Sequence, residues 1–269
     1  MGIKRDKLGY ITLENYDIEG LDSLDSKDIF SFIFNDNKYY FKKVKSVKQS
    51  YNELIGYELA KDFGIDAIEY DLASFHGHIG FISKDFSNSN YHFLEEYLVN
   101  YYGDYKGRNN LYDISIMFMN ILPDDKMNTL LDDFRRLLMF DIIIANSDRH
   151  DRNIIIDSSN MRIGPVFDNE MLCNEDCYFS FSLTGRDDNT ISSFLSVLSS
   201  DELDFFEKKV NIISRDNLEK IFKRIEDKIG TQIVEYIKNS LLEKYDSYYN
   251  YLLKVLKYIR GNKLELKID

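Results

Sequence analysis

FDIIIANSDRHDRNIIIDSSNMRIGPVFDN, residues 140–169, sets chemically capable side chains between two very apolar runs. The runs at 142–145 and 154–156 read as buried elements bounded by turn residues. Asp148, Arg149, His150 and Asn153 fall in the gap, and Asp168 follows a further short apolar stretch. The gap is therefore a tight loop on a rigid base, the kind of place where reactive side chains are held.

Asp148 and Asn153 are five positions apart, the Asp-x-x-x-x-Asn step of a protein-kinase catalytic loop. In such a loop the aspartate accepts the proton of the attacking hydroxyl, and the asparagine holds a magnesium ion through a neutral oxygen. A second carboxylate must reach the ion from just beyond a following strand, and Asp168, after IGPVF, is placed to do so. The step alone is weak, because Asp and Asn are ordinary turn residues. The surrounding DRH, the hairpin and the PVFDN that follows make it fairly specific. The competing reading is a hairpin whose Asp and Asn side chains cap the turn.

NSDRHDRN followed by GPVFDN resembles the signature of the HipA-type serine/threonine kinases and, more loosely, the DRH loop of the phosphatidylinositol kinases. The resemblance implies an α+β, bilobal protein kinase-like fold, with a small β-rich N-lobe carrying one helix and a larger helical C-lobe. ATP and Mg2+ would lie between the lobes. It implies Asp148 as the catalytic base, His150 near the transferred phosphate, and Asn153 and Asp168 as magnesium ligands. The likeness covers about residues 29–169 in motif order, while the flanks rest on shape.

Upstream, residues 29–34 and 38–43 are β-rich runs joined by Asn35-Asp36-Asn37, a hairpin signal. Lys42 and Lys43 lie on opposite faces of the second run. The resemblance favours Lys42 as the ATP lysine, with Lys43 as the fallback. GLDSLDSK, residues 20–27, stands where a phosphate loop belongs, yet it has one glycine and two acidic residues. HipA-type kinases use a non-standard loop here with a serine that can be autophosphorylated, which suggests Ser23 or Ser26. SYNELIGYELAKDFGI has helical spacing that ends at Gly64, and Glu53 is expected to pair with the strand lysine, with Glu58 its competitor. A second β pair, 67–74 and 78–82, leads into SKDFSNSN. There Lys84, Asp85 and Phe86 are expected to meet the adenine, with Phe86 as a lid on the ring. The Ser/Asn run is a natural linker, which gives an N-lobe of 1–88 and a C-lobe of 89–269.

From Tyr91 the chain reads as helical, and residues 128–146 carry a broad apolar face that braces the catalytic loop. Asp141, in an apolar stretch, needs a partner if buried, with Arg149 or the loop backbone expected to supply it. The resemblance implies that residues 170–188 are the segment where a substrate docks, without the Ala-Pro-Glu of eukaryotic kinases. Three helices are expected over 201–259, the last broken near Tyr245, with Asp216 and Glu219 as a capping box.

The hydrophobic fraction of 44% and charged fraction of 30% suit a folded domain, and 269 residues can bury a substantial core. No apolar run approaches the roughly 20 residues of a membrane span, and the first residues lack a secretory apolar core. A cytoplasmic protein is the default, with a secreted effector as the variant. The net charge of −12 argues against a general nucleic-acid surface. Cys173 and Cys177 lack metal-site spacing, and His76-Gly77-His78 reads as a hairpin tip rather than a ligand pair.

The expected function is ATP- and magnesium-dependent phosphoryl transfer to a protein serine or threonine, with autophosphorylation as one outcome. A protein substrate and an antitoxin or regulatory partner follow from the resemblance. At 269 residues the chain looks like the kinase core without the extra N-terminal subdomain of full-length HipA proteins. Two alternatives stand beside it: a kinase of a lipid headgroup or small-molecule alcohol, and a nucleotide-holding pseudokinase. An acidic chain suits a membrane face poorly, and the presence of base, metal ligands and lysine weighs against the pseudokinase.

Overall fold

Alternating buried and exposed residues in IFSFIF and a turn at Asp36 build the first hairpin of the protein. The computed structural model describes residues 5–15, 29–34, 36–105, 111–169, 171–173 and 191–265. The expected phosphate loop with Ser23 and Ser26, nearly all of the segment expected to dock a substrate, and Cys177 lie outside the described residues.

Five strands form the N-terminal sheet: β1 (Ile11–Thr12), β2 (Ile29–Phe34), β3 (Asn37–Lys43), β4 (Tyr70–Phe75) and β5 (His78–Lys84). Their order is β1-β4-β5-β3-β2, antiparallel except where β1 runs parallel to β4. His76 and Gly77, both with positive φ, make the tight β4–β5 turn that the sequence leads one to expect. Phe30, Phe32, Phe41, Ala73 and Phe75 pack on one face of the sheet. On the other, Tyr70, Leu72 and Phe81 join the main core under α1 (Val47–Phe63).

Helix α1 starts where the Ser46 side chain accepts the Gln49 N–H, and it stops at Gly64, whose φ of 91° suits the left-handed cap. Every residue from Ser50 to Gly56 is buried. A run of seven goes nearly twice around a helix, so α1 has no solvent face there. It packs on the N-terminal sheet and also against helices of the C-terminal half. Arg224 reaches Glu58 at 2.7 Å and Asp62 at 3.0 Å, fastening that junction.

The second half begins with β6 (Tyr91–Phe93), followed by α2 (Leu94–Tyr102), α3 (Leu111–Ile121) and the 21-residue α4 (Asp124–Ile144). Tyr91–Phe93 is a strand, not the start of a helix: its backbone pairs with β7 (Ile155–Asp157), which pairs in turn with β8 (Arg162–Ile163). The apolar run at 142–144 is the last turn of α4, ended by Ala145 at φ 52°.

Helices α5 (Ile191–Val197), α6 (Ser200–Val210), α7 (Arg215–Ile229) and α8 (Glu235–Glu265) complete the described chain. Asp216 and Glu219 do not form the expected capping box, because Ser214 takes the N-cap position of α7. A capping box does form one helix earlier, between Ser199 and Glu202. The expected break near Tyr245 is absent: α8 runs unbroken through Tyr245, which is fully buried and donates its hydroxyl to Ile144 O at 2.8 Å. Tyr248 does the same to Ile142 O at 2.5 Å. The final carbonyls of a helix lack internal partners, so α8 caps α4 from the side. No helix among the described residues is long and apolar enough to cross a membrane.

Replacing Tyr245 by Phe removes one buried hydrogen bond and is expected to cost about 1 kcal/mol. In urea unfolding the midpoint falls while the slope stays unchanged.

Candidate active site

The loop after α4 is organised by one buried ion pair. Asp141, 1% exposed, accepts from Arg149 through Nε at 3.1 Å and Nη2 at 3.0 Å, and from Asn146 Nδ2 at 3.2 Å. This is the side-chain partner expected from the sequence. Arg149 spends its remaining donors on main-chain and amide oxygens: Asn153 O at 3.2 Å, Phe167 O at 2.5 Å and Asn169 Oδ1 at 2.8 Å. Burial alone would lower the guanidinium pKa, but the carboxylates of Asp141, Asp168 and Glu53 outweigh it and hold Arg149 charged. One cation thus joins the end of α4, the loop and the segment past β8.

Within the loop, the Asn146 side chain accepts the Asp148 N–H at 3.3 Å. His150 caps the 3-10 turn Asp151–Asn153 by accepting from Arg152 N at 3.2 Å. Asn153 is 6% exposed and donates its Nδ2 to Asp148 O at 3.2 Å. That bond fixes the amide plane and leaves its oxygen as the atom to meet a cation. Asp148 makes no ion pair among the described residues. Outside the loop, Arg152 bonds Glu95 of α2 at 2.8 Å.

Asp168 has φ 59°, a left-handed backbone that costs a non-glycine residue on the order of 1 kcal/mol. Its surroundings hold it there. Lys42 Nζ of β3 lies 2.5 Å from Asp168 Oδ1, and the Asp168 N–H is donated to the Tyr70 hydroxyl at 3.4 Å. The next N–H, that of Asn169, goes to Glu53 Oε2 of α1 at 3.0 Å. Glu53, expected to pair with Lys42, is bonded to the segment that carries Asp168. Glu58, the competitor, is engaged with Arg224 and Lys61 on the far side. Burial raises the Tyr70 phenol well above its ordinary pKa, so it remains a neutral hydroxyl.

Between the halves lies a cleft of about 370 Å³, lined among others by Lys42, Tyr70, Phe81, Asp85, Phe86, Phe93, Phe167 and Asp168. Phe86 and Phe93 flank Phe167, with ring centres 5.8 and 6.3 Å away. Flat apolar walls with a lysine and a carboxylate at one end suit a heteroaromatic ring joined to an anionic tail. The oxygen set of Asp168 and Asn153 suits a hard divalent cation. Lys42 lines this cleft and Lys43 does not. Burial would raise the Asp85 carboxyl, but Ser87 and Lys38 outweigh it and hold it below its usual range.

Of the expected site residues, Lys42, Asp85, Phe86 and Asp168 line this cleft, while Glu53, Lys84, Asp148, His150 and Asn153 are not among its lining residues. The side chain of Lys84 lines a separate groove of about 310 Å³ that also holds Phe32, Phe34 and Ile82. The reason is strand alternation: side chains at 83 and 85 line the cleft, so 84 faces the other way. His150 is a turn cap and does not line the cleft. Tyr70, Phe167, Asn169 and Gly56 were not singled out from sequence. Phe167 and Asn169 flank Asp168 in a motif that was noticed, but nothing in a strand sequence marks Tyr70.

The HipA-like C-terminal domain family model matches residues 28–233. No curated protein matches the chain. Among solved structures, the proinflammatory kinase CtkA of Helicobacter pylori superposes with a TM-score of 0.65 at 18% identity, over 96% of this chain and 99% of that one. HipA of Shewanella oneidensis MR-1, solved in its toxin–antitoxin complex with HipB and operator DNA, gives 0.54 at 14% identity, over 93% and 69%. Both likenesses are of fold, and they agree with the bilobal α+β kinase-like architecture.

Replacing Arg149 by Ala leaves Asp141 buried without its cation. Loss of one partner of a buried pair costs about 3–5 kcal/mol, to be read as a lowered denaturation midpoint.

Proposed function

The chain belongs to the family of HipA-like C-terminal domains, and from that premise we propose that it is an ATP- and magnesium-dependent kinase of protein serine or threonine hydroxyls. The observation that carries this reading is the meeting of Lys42 and Asp168, 2.5 Å apart, at one end of an aromatic-walled cleft. A strand lysine and a carboxylate beyond the catalytic loop, 126 positions apart, have no structural need to meet in a simple capped turn.

Bound ATP supplies the phosphoryl group, and a divalent cation neutralises its developing charge. Asp148 accepts the proton of the incoming hydroxyl. Asn153 and Asp168 would hold the cation through their side-chain oxygens. Lys42 would turn from Asp168 to the phosphates, while Glu53 steadies that end of the cleft. Phe86, Phe93 and Phe167 enclose the base, and the main chain at Lys84, Asp85 and Phe86 reads its edge. His150 contributes by fixing the turn that presents Asn153. The acidic composition favours a protein acceptor over a lipid headgroup at an anionic membrane, in keeping with a cytoplasmic or effector protein. The solved HipA complex with HipB makes an antitoxin-like partner part of the same proposal.

Labelled ATP with magnesium tests it. The wild type is expected to incorporate label, on itself or on an added protein, and Asp148→Asn to lose about 10²–10⁴-fold in rate. ATP with magnesium raising the melting temperature, without label transfer, points to an unsupplied acceptor or to the pseudokinase. The absence of both stabilisation and transfer overturns the kinase reading.

A further inference from the structure

We propose that Asn169 is a positioning residue that couples helix α1 to the catalytic loop and thereby sets the stance of Asp168 toward a metal ion. The proposal rests on the phosphotransferase reading above. Asn169 is fully buried, and its two ends are committed to different elements. The main-chain N–H goes to Glu53 of α1 at 3.0 Å, and the side-chain oxygen accepts from Arg149 at 2.8 Å.

The packing leaves no slack in this joint. A methyl group built at Gly56 of α1 would stand 2.6 Å from Asn169 Cβ, well inside contact distance. Only a glycine lets the helix backbone lie flush against this side chain. Helix, residue 169 and Arg149 are therefore in serial contact, and Arg149 carries the chain of bonds on to Asn153 O. The preceding residue, Asp168, is held at φ 59°, so its carboxylate direction depends on what fixes the peptide after it.

The residue type fits this task. Arg149 needs an acceptor here, and a carboxylate would supply one. An aspartate, however, would add a further anion beside buried Glu53 and Asp141 and half-buried Asp168, at the cost of like-charge repulsion. An amide supplies the oxygen without the charge. A merely space-filling Asn169 would affect stability alone. A positioning Asn169 affects the metal requirement, because groups that orient a ligand typically govern 10–100-fold or so in metal affinity.

The test is the ATP-induced rise in melting temperature, followed as magnesium is titrated, for the wild type, Asn169→Ala and Gly56→Ala. Gly56→Ala strains the same joint from the helix side without touching a ligand. Both variants are expected to need roughly 10-fold more magnesium for the half-maximal shift, and to regain a wild-type shift at saturation. Folded variants whose magnesium requirement matches the wild type overturn the proposal. Variants that do not fold also overturn it, since Asn169 is then a determinant of folding. A wild type with no metal-dependent shift removes the phosphotransferase reading instead, and this inference falls with it.

Discussion

Arg149 cannot be removed from this structure without leaving a carboxylate buried in its core. Asp141 sits at the end of a long helix, walled by Phe140, Ile142 and their neighbours, where an isolated charge would be very costly. Its partner must come to it, and the residue that does so belongs to the loop that carries Asp148. Because a guanidinium has five donors in a rigid fork, satisfying Asp141 also fixes where the Asn153 and Phe167 carbonyls can be. Electrostatic necessity in the core thus dictates the path of the chain at the site.

The elements around that pair supply rigidity by other means. Helix α4 ends inside the protein, and two tyrosines of α8 take up its last carbonyls, so the platform under the loop does not fray. The small β6-β7-β8 sheet holds the other end of the loop. The left-handed backbone at Asp168 is held by contacts with β3, β4 and α1, which brings the N-terminal sheet into register with the loop. A strained residue anchored from three directions points its carboxylate one way.

Legibility from sequence followed the range of the interactions. The Asp148–Asn153 step could be read because its geometry is made within one loop, and the Asp141–Arg149 pair because a charge in an apolar run demands an answer. Lys42 and Lys43 could be assigned to opposite faces by strand alternation, but only the tertiary fold decides which face meets the cleft. Tyr70 was invisible, since its partner lies 98 positions away and a tyrosine in a strand is ordinary. The misread start of α7 shows a local competition, in which Ser214, ending a 3-10 turn, claimed the cap before Asp216 could. In α8, neither Gly nor Pro stands near 245 to break the helix, and burial of Tyr245 settles its course.

The enclosure of α1 has a bearing on how the molecule comes apart. Two lobes describe the cleft well, but they describe the folding reaction poorly. The helix assigned to the smaller lobe by chain order buries its far side on α4, α7 and the 3-10 turn Asn211–Ile213. A single apolar core runs from Leu72 and Phe81 through α1 to Phe222. Separating the halves would uncover all of that surface at once, which favours their unfolding as one unit. Cooperativity of this kind joins the two sides of the cleft in one equilibrium, and damage to either is felt by both.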